Sequence, residues 1–465
     1  MLCAAVYSQG CKLNQLEGEA LADAFRKAGF SHEPAPPDII VINTCTVTSK
    51  SDQKARRIIR KALRENPAAC VLVTGCLAQL EEAAIQALEK DCGGAAGRLH
   101  VFKADEKNAL LDLPFALANG IFADRLDAAG GAGLSSFVKG WKEGGGRLLE
   151  KSAGGGFHFA PGDSPLRTRG FLKVQDGCGR SCTFCRARLA RGAPRSLGQD
   201  AALQELRRLE EKGYAEAVIA GLNITEYEGG LGALLGFLLA GTKNIGIRLS
   251  SLEPDRIDGE LGRAIGDRRV RPHFHLAVQS GSQGVLEKMG RFYDGSAVEA
   301  AVELFRAAKD DPFLACDIIA GFPGETEADF EQTLELCRKI DFAWIHVFPY
   351  SRRPGTAAYD FPQKTGEKEI ARRADLLQAL ARQGREGYAR RWLGREVSAL
   401  VEKSEPGKAF CRGVSENYLK LQIGLKPGDA PPPPGTVLPC KISAVETQGF
   451  NLNGHDALAE VLRNH

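Results

Sequence analysis

Long hydrophobic runs are absent from this sequence of 465 residues. The longest apolar stretch covers residues 231–240, whereas a membrane-spanning helix needs roughly 20 apolar residues. The first ten residues contain no positively charged segment and only a very short apolar run, so we expect no secretory signal peptide. We therefore predict a cytoplasmic protein that has no membrane partner.

An excess of charge of one sign is also absent. The chain has 61 Lys and Arg residues against 58 Asp and Glu residues, which gives a formal net charge of +3. This balance is too mild to predict nucleic-acid binding by itself, so any basic surface must be local. With 43% hydrophobic and 26% charged residues, the composition is typical of a globular protein, and the length suggests about three domains.

Several common nucleotide-binding and zinc-binding motifs are missing as well. The sequence contains no GxGxxG, no GxxxxGK followed by Ser or Thr, and no HExxH. Each of these motifs places backbone amides or metal ligands for one class of chemistry. Nucleotide hydrolases, dinucleotide-dependent enzymes and simple zinc proteases therefore have little support.

Cysteine, in contrast, is plentiful, with 13 residues. An odd number of cysteines in a large chain without a signal peptide is a poor disulfide framework, so clustered cysteines favour metal binding or catalysis. Cys178, Cys182 and Cys185 form a C-x3-C-x2-C pattern directly after a predicted strand. Three thiolates are too few for a structural zinc site, but on a cubane iron–sulfur cluster they leave one iron open for a small molecule.

A second set of cysteines follows the strands of the first domain, for which we predict residues 1–126 and an open parallel α/β fold. The predicted strands cover residues 2–7, 38–43 and 70–74, and each is followed by a helix. Cys11, Cys45 and Cys76 each lie just after one of these strands. Because the carboxyl ends of parallel strands share one edge of a sheet, the three thiols could converge on one site there.

The rest of the chain divides into three segments. Residues 127–164 are rich in glycine and are predicted to form a linker. Residues 165–394 contain six strand–helix steps and a basic helical extension, which predicts a partial (β/α)6 barrel with the cysteine loop at its carboxyl mouth. Residues 395–465 contain short strands broken by turns, which predicts a small all-β barrel.

Residues 177–185 resemble the radical S-adenosylmethionine (SAM) superfamily. The resemblance implies that Cys178, Cys182 and Cys185 hold a 4Fe-4S cluster whose open iron binds SAM, and that SAM is cleaved to a 5′-deoxyadenosyl radical. It also implies that Phe184 lies near the adenine of SAM. Small and polar residues at further strand ends would line the cofactor, namely Gly221, Asn223, Ser251, Gln279 and Gly321.

Residues 10–17, 43–48 and 74–76 resemble the N-terminal domain of the methylthiotransferases. The resemblance implies an auxiliary 4Fe-4S cluster, held by Cys11, Cys45 and Cys76, at which sulfur is carried and then methylated by a second SAM. It further implies that the C-terminal barrel is a TRAM domain, a small RNA-binding module. Residues 186–188 depart from the family, which commonly has an apolar stretch there.

The residues after two auxiliary cysteines favour one branch of this family. Lys12, Gln15 and Glu17 after Cys11, with residues 46–48 after Cys45, resemble the branch that methylthiolates C2 of N6-threonylcarbamoyladenosine at tRNA position 37. Branches that act on isopentenyladenosine in tRNA, or on an aspartate of a ribosomal protein, remain alternatives. The resemblance implies tRNA, an electron donor such as flavodoxin or ferredoxin, and a sulfur donor as partners.

Two basic stretches, residues 50–64 and 364–395, are consistent with phosphate contacts to RNA. Either stretch alone is more simply a solvated surface, and the two together with a TRAM-like barrel favour RNA binding. A hypothesis of another class is a non-catalytic, RNA-bound iron–sulfur electron carrier or sensor. Such a protein would not bind SAM, so calorimetry with SAM distinguishes it from the enzyme.

Overall fold

The structure, a computed structural model, describes most of the chain. The described residues are 2–31, 36–92, 97–103, 106–118, 123–144, 167–363, 365–405, 407–426, 428–445 and 454–462. Among these residues, no helix combines the length and the apolar character that crossing a membrane requires.

The N-terminal region is a parallel sheet with helices on both faces. Its strands, in sheet order, are β1 (Ala4–Ser8), β2 (Ile39–Thr44), β3 (Cys70–Gly75) and β4 (Leu99–Val101). Its helices are α1 (Lys12–Lys27), α2 (Ser49–Glu65), α3 (Cys76–Leu80), α4 (Glu82–Lys90), α5 (Lys107–Ala118) and α6 (Ala123–Glu143). β2 and β3 are buried along their whole length because alternate apolar side chains pack against opposite helix layers.

The beginning of the glycine-rich segment differs from the predicted linker. Residues 123–143 form helix α6, and Leu134 and Val138 are buried in the same core as Phe25 and Leu72. Glycine disfavours an isolated helix, but tertiary packing of an apolar stripe supplies the missing stability. The N-terminal region therefore extends past the predicted boundary, whereas residues 145–166 of the predicted linker lie outside the described residues.

The central region is built on parallel strands that follow one another in chain order. Its strands are β5 (Gly170–Lys173), β6 (Gln175–Asp176), β7 (Arg195–Ser196), β8 (Glu216–Ala220), β9 (Gly246–Leu249), β10 (His273–Gln279), β11 (Phe313–Ala320) and β12 (Trp344–Pro349). β5, β8 and β9 form one parallel sheet and β10, β11 and β12 another, and the parallel bridge between Leu252 and Leu276 joins the two. The short strands β6 and β7 pair antiparallel beside the cysteine loop.

Helices cover one face of these strands and leave the other face polar. The helices are α7 (Arg186–Arg191), α8 (Gln199–Glu211), α9 (Leu231–Gly241), α10 (Gly259–Ile265), α11 (Gln283–Lys288), α12 (Gly295–Ala308), α13 (Glu327–Ile340) and α14 (Glu367–Arg391). Phe274, Leu276 and Cys316 point into the apolar core beneath the helices. Because side chains alternate along a strand, the neighbouring His275 and Asp317 point to the opposite face.

The C-terminal region is a closed five-stranded barrel. Its strands are β13 (Glu396–Ser404), β14 (Phe410–Ser415), β15 (Lys420–Gly424), β16 (Val437–Val445) and β17 (Ala457–Val461), and they close in the order β13-β14-β15-β17-β16. The barrel shares a core with Phe313 and Ala315 of β11. α14 joins the two regions, since its Arg385 forms a buried ion pair with Asp456 before β17.

Candidate active site

The N-terminal sheet brings Cys11, Cys45 and Cys76 to one edge. β1, β2 and β3 are in register, so that Asn43 lies opposite both Ser8 and Thr74, and each cysteine follows the carboxyl end of its strand. Burial raises the pKa of Cys45, and the neighbouring thiols of Cys76 and Cys11 raise it further. The three cysteines therefore lie in one neighbourhood at this edge, and that they hold a common cluster stays a prediction.

Glycines make this convergence possible. Gly10 and Gly75 both have positive φ, at 93° and 101°. A Cβ added to Gly10 would lie 2.6 Å from the sulfur of Cys45, and one added to Gly75 would lie 2.2 Å from the carbonyl oxygen of Thr44. Only glycine fits both the backbone conformation and the close approach at these positions.

The surroundings of this site fit a bound inorganic group. Gln9, Asn43 and Thr74 each stand two residues before a cysteine of the site, and each has a buried side-chain polar atom without a hydrogen-bond partner among the described residues. A buried unpartnered polar atom is costly, so such atoms usually face a ligand. Burial raises the pKa of Cys76, whereas Arg191 and Lys107 act in the opposite direction and favour the thiolate that a metal requires.

The second triad lies in the loop between β6 and α7. Burial raises the pKa of each thiol. A neighbouring thiol raises each pKa further, since Cys182 acts on Cys178, Cys185 on Cys182 and Cys178 on Cys185. Backbone hydrogen bonds fix the loop, from Cys178 N to the carbonyl of Gly192 (3.0 Å) and from Thr183 N to that of Met289 (2.9 Å).

The donor set of each triad suits a cluster better than a single ion. Within the described segments, no three His, Cys, Asp or Glu side chains are close enough to bind one common metal ion. A cubane cluster does not need that arrangement, because each cysteine binds a different iron. Three neighbouring cysteine thiols at each triad are therefore compatible with a 4Fe-4S cluster.

The predicted SAM-contact positions lie at or just beyond the carboxyl ends of the strands, and their contacts differ. Asn223 donates from Nδ2 to the sulfur of Cys178 (3.7 Å), and the Phe184 ring packs edge-on against Phe322. Ser251 Oγ lies 3.3 Å from His275 Nδ1. The remaining positions are notable for their backbone. Gln279 and Gly321 have positive φ, and the backbone at Gly221 packs closely against neighbouring side chains. That these residues bind SAM stays a prediction.

Charged side chains link the surroundings of the two triads. The side chain of Lys12, next to Cys11, reaches solvent but is surrounded by many protein atoms. This partial desolvation lowers the pKa of Lys12 to about 8, and Asp317 acts in the opposite direction. Burial alone would raise the pKa of Asp317, but His275, His346 and Arg291 hold it below the ordinary value. Arg291 in turn interacts with Cys182. Charged neighbours therefore connect the Cys11 site with the Cys182 site across the polar face of the strands.

Buried ion pairs clamp the cysteine loops together. Arg186, the residue after Cys185, donates to Asp52 (3.1 Å), to Thr46 (3.0 Å) and to Glu81 (2.6 Å). Arg353 donates to the same Asp52 and to Thr46. Arg186, which departs from the family pattern, is thus one of the arginines that join the central region to the N-terminal region.

A second clamp lies at the other end of α7. Arg191 donates to Glu17 (3.0 Å), to Asp176 (2.9 Å) and to Asn14 (2.7 Å), and these side chains are all buried. Arg186 and Arg191 therefore bracket one short helix that begins directly after the last cysteine of the loop. This interface was not predicted from the sequence, although the unexplained basic residues after Cys185 were a signal for it.

Replacing Asp52 by alanine is expected to lower the free energy of unfolding by about 3 kcal/mol, because two buried guanidinium groups lose their shared carboxylate. Denaturant unfolding followed by circular dichroism measures the change. Glu331→Ala, which removes one partner of the exposed pair with Arg338, is the control and should cost less than about 1 kcal/mol. Equal decreases in the free energy of unfolding for both variants would contradict a stabilising role of the buried Asp52 ion pairs.

The two basic stretches behave differently in the folded chain. In α14, Arg373 and Arg385 are buried in ion pairs, and Arg372, Arg390 and Arg391 pair with carboxylates at the surface. Most basic side chains of this stretch are therefore already paired with carboxylates of the protein, and that the stretch contacts RNA phosphates stays a prediction. α2 keeps an exposed basic surface, formed by Lys50, Lys54, Arg57, Lys61 and Arg64.

The two regions that carry the cysteine triads each match a known protein family. Residues 4–95 match the family described as "Uncharacterized protein family UPF0004", and residues 172–337 match the radical SAM superfamily. A protein of Treponema pallidum named threonylcarbamoyladenosine tRNA methylthiotransferase MtaB is 37% identical, over 91% of this chain and 95% of its own length. Proteins of the same name from Thermotoga maritima and Bacillus subtilis are 33% and 31% identical, over 90% of this chain and 91% and 90% of their own lengths.

A solved structure supports the fold. The radical SAM methyltransferase TsrM of Kitasatospora setae, solved with cobalamin and a [4Fe-4S] cluster, is 16% identical and covers 77% of this chain and 76% of its own, with a TM-score of 0.50. At this identity the likeness concerns the mixed α/β fold alone. The relatives of higher identity extend over nearly the whole chain, and SAM and iron–sulfur chemistry are common to the superfamily. The chain belongs to the radical SAM methylthiotransferase family and is a transferase that acts in tRNA modification.

Proposed function

We propose that the protein methylthiolates C2 of N6-threonylcarbamoyladenosine at position 37 of tRNA, giving 2-methylthio-N6-threonylcarbamoyladenosine. The observation that carries the proposal is that each of the two matched regions contributes one triad of neighbouring cysteines, and that buried ion pairs of Arg186 and Arg191 join the two regions beside them. The printed names of the relatives support the choice of substrate. The alternatives are isopentenyladenosine in tRNA and an aspartate of a ribosomal protein.

The cysteines are assigned to two clusters. Cys178, Cys182 and Cys185 would hold the 4Fe-4S cluster that binds SAM, and the auxiliary 4Fe-4S cluster would be held by Cys11, Cys45 and Cys76. When bound, these groups supply radical cleavage of SAM, hydrogen abstraction at C2 of the adenine, and a sulfur that a second SAM methylates. An electron donor such as flavodoxin or ferredoxin, and a separate sulfur donor, complete the reaction.

The chain's own residues position and insulate this chemistry. Asn223 donates a hydrogen bond to the sulfur of Cys178, which favours its thiolate form. Arg186 and Arg191 hold the SAM-cluster loop against the N-terminal region, so that the distance between the two sites is set by buried ion pairs. Phe184 and the strand-end residues Gly221, Asn223, Ser251, Gln279 and Gly321 are proposed to line SAM.

The regions take separate roles in the proposed enzyme. The N-terminal region through α6 carries the auxiliary site, and the central strands form a partial (β/α)6 barrel that carries the SAM site. The C-terminal barrel is proposed to be a TRAM-like module that contacts tRNA together with the exposed basic surface of α2. Phosphate contacts would position the tRNA, while the active site would read the modified base.

The test uses purified enzyme with both clusters reconstituted, SAM, a reductant and a sulfur source. We expect methylthiolated product from tRNA that carries threonylcarbamoyladenosine, and none from tRNA that carries isopentenyladenosine or unmodified adenosine. Nucleoside mass spectrometry measures the product. Product from the isopentenyladenosine tRNA would reject the proposed substrate, and absence of SAM binding in calorimetry would favour the non-catalytic iron–sulfur protein.

A further inference from the structure

A cavity of about 370 Å³ opens beside the Cys11 site, between all three regions of the protein. Lys12 enters it from α1, Arg169 and Arg248 from the central region, and Tyr418 from the C-terminal barrel. The cavity lining contains four basic side chains and one acidic side chain, Lys12, Arg167, Arg169, Arg248 and Glu402. An excess of positive charge in a concave site attracts an anion.

The arginines of this cavity already have partners. Arg169 and Arg248 share the buried carboxylate of Glu216, at 2.8 and 2.7 Å, and Arg169 also pairs with Glu402 at 2.6 Å. These ion pairs hold the two guanidinium groups in fixed positions at the side of the cavity. They leave the positive charges of the cavity outnumbering the carboxylates that neutralise them.

Lys12 differs from those arginines. Among the described parts of the chain, no ion pair or hydrogen bond of its ammonium group is found, and the group remains accessible to solvent. It belongs to the residue directly after Cys11, so an anion held by Lys12 would lie beside the auxiliary site. The rings of Tyr418 and Phe171 add apolar surface to the same cavity.

We propose that this cavity binds the threonyl carboxylate of the substrate, with Lys12 as the residue that pairs with it. The inference rests on the proposed function and adds the residue that determines specificity. An isopentenyl group has no charge, so it would leave the ammonium of Lys12 unpaired when the nucleoside fills the cavity, and that substrate is disfavoured. An RNA phosphate has the same anionic chemistry, and the experiment separates it from the carboxylate.

The experiment measures binding without turnover. Anticodon stem-loop RNAs carry either threonylcarbamoyladenosine or its threonine amide, which is nearly isosteric and neutral, and Kd is measured with the reconstituted full-length protein without reductant. We expect the wild type to prefer the carboxylate RNA about tenfold. Lys12→Gln should reduce this preference to about one while leaving the Kd for the amide RNA unchanged. Lys12→Arg should keep most of the preference.

Controls separate the possible causes. Lys339→Gln removes an exposed lysine of α13 and should change neither Kd. Iron content equal to wild type shows that the Lys12 variants still assemble both sites. If Lys12→Gln weakens both RNAs equally, Lys12 contacts a phosphate and the inference is wrong.

The same measurements distinguish failure of the inference from failure of the proposed function. If the wild type methylthiolates threonylcarbamoyladenosine tRNA and Lys12→Gln keeps the full preference for the carboxylate RNA, the cavity assignment is wrong and the proposed function stands. If the wild type neither prefers the carboxylate RNA nor methylthiolates that tRNA, the proposed function is wrong and the inference falls with it.

Discussion

Replacing Cys182 by alanine is expected to abolish SAM cleavage, with 5′-deoxyadenosine formation at least 100-fold below that of the wild type. The buried Cys182 is one of three thiols of the β6–α7 loop, and two thiolates cannot complete the cluster that leaves one iron for SAM. Liquid chromatography with mass spectrometry measures 5′-deoxyadenosine under reducing conditions. Methylthiolation of tRNA should stop in the same variant.

The matched control for this variant is Cys440→Ala. Cys440 is a fully buried cysteine of β16 in the C-terminal barrel, apart from both triads. The substitution removes the same thiol group as Cys182→Ala. It should therefore reduce the free energy of unfolding slightly, while SAM cleavage continues at the wild-type rate. Formation of 5′-deoxyadenosine by Cys182→Ala at a rate near that of the control would reject the assignment of the SAM site.

Replacing Cys45 by alanine is expected to separate the two halves of the reaction. The variant should cleave SAM at a rate within a fewfold of the wild type, whereas methylthiolated nucleoside should fall at least 100-fold. The physical reason is that Cys45 lies in the N-terminal sheet edge with Cys11 and Cys76, and the SAM loop is fixed by its own backbone hydrogen bonds. Iron content should fall by about four per chain, one cubane cluster.

Both products of the Cys45 variant are measured in one reaction, 5′-deoxyadenosine and the tRNA nucleosides. Normal amounts of methylthiolated product would exclude Cys45 from the auxiliary site. Loss of both products together, with iron content at half of wild type, would show that the two sites are not functionally separable, which also contradicts the account. The control is again Cys440→Ala, which should form both products.

The sequence was sufficient to predict most of the strands and the common sheet edge to which Cys11, Cys45 and Cys76 belong, while cluster binding by either triad stays a prediction. Convergence of Cys11, Cys45 and Cys76 followed from one rule, that the carboxyl ends of parallel strands share an edge, and the register of β1 to β3 obeys it. The closed C-terminal barrel was predicted from short strands and turns. Periodicity and spacing report on neighbours in one element or one sheet, and these features depend on nothing more.

Contacts between regions could not be predicted in this way. Arg186 and Asp52 are far apart in the sequence, and only the packing of α7 against α3, next to α2, makes them partners. The paired arginines of α14 looked like a basic surface for the same reason, since their carboxylates lie on other elements. The helix α6 was missed because glycine content indicates a loop, while burial of Leu134 depends on tertiary packing.

The most direct test of the central claim is mass spectrometry of tRNA nucleosides from a strain that lacks this gene. The account predicts loss of 2-methylthio-N6-threonylcarbamoyladenosine and accumulation of N6-threonylcarbamoyladenosine, with both effects reversed by the wild-type gene and not by Cys45→Ala. An unchanged nucleoside profile in a strain without a second such enzyme would contradict the account and direct attention to the ribosomal protein.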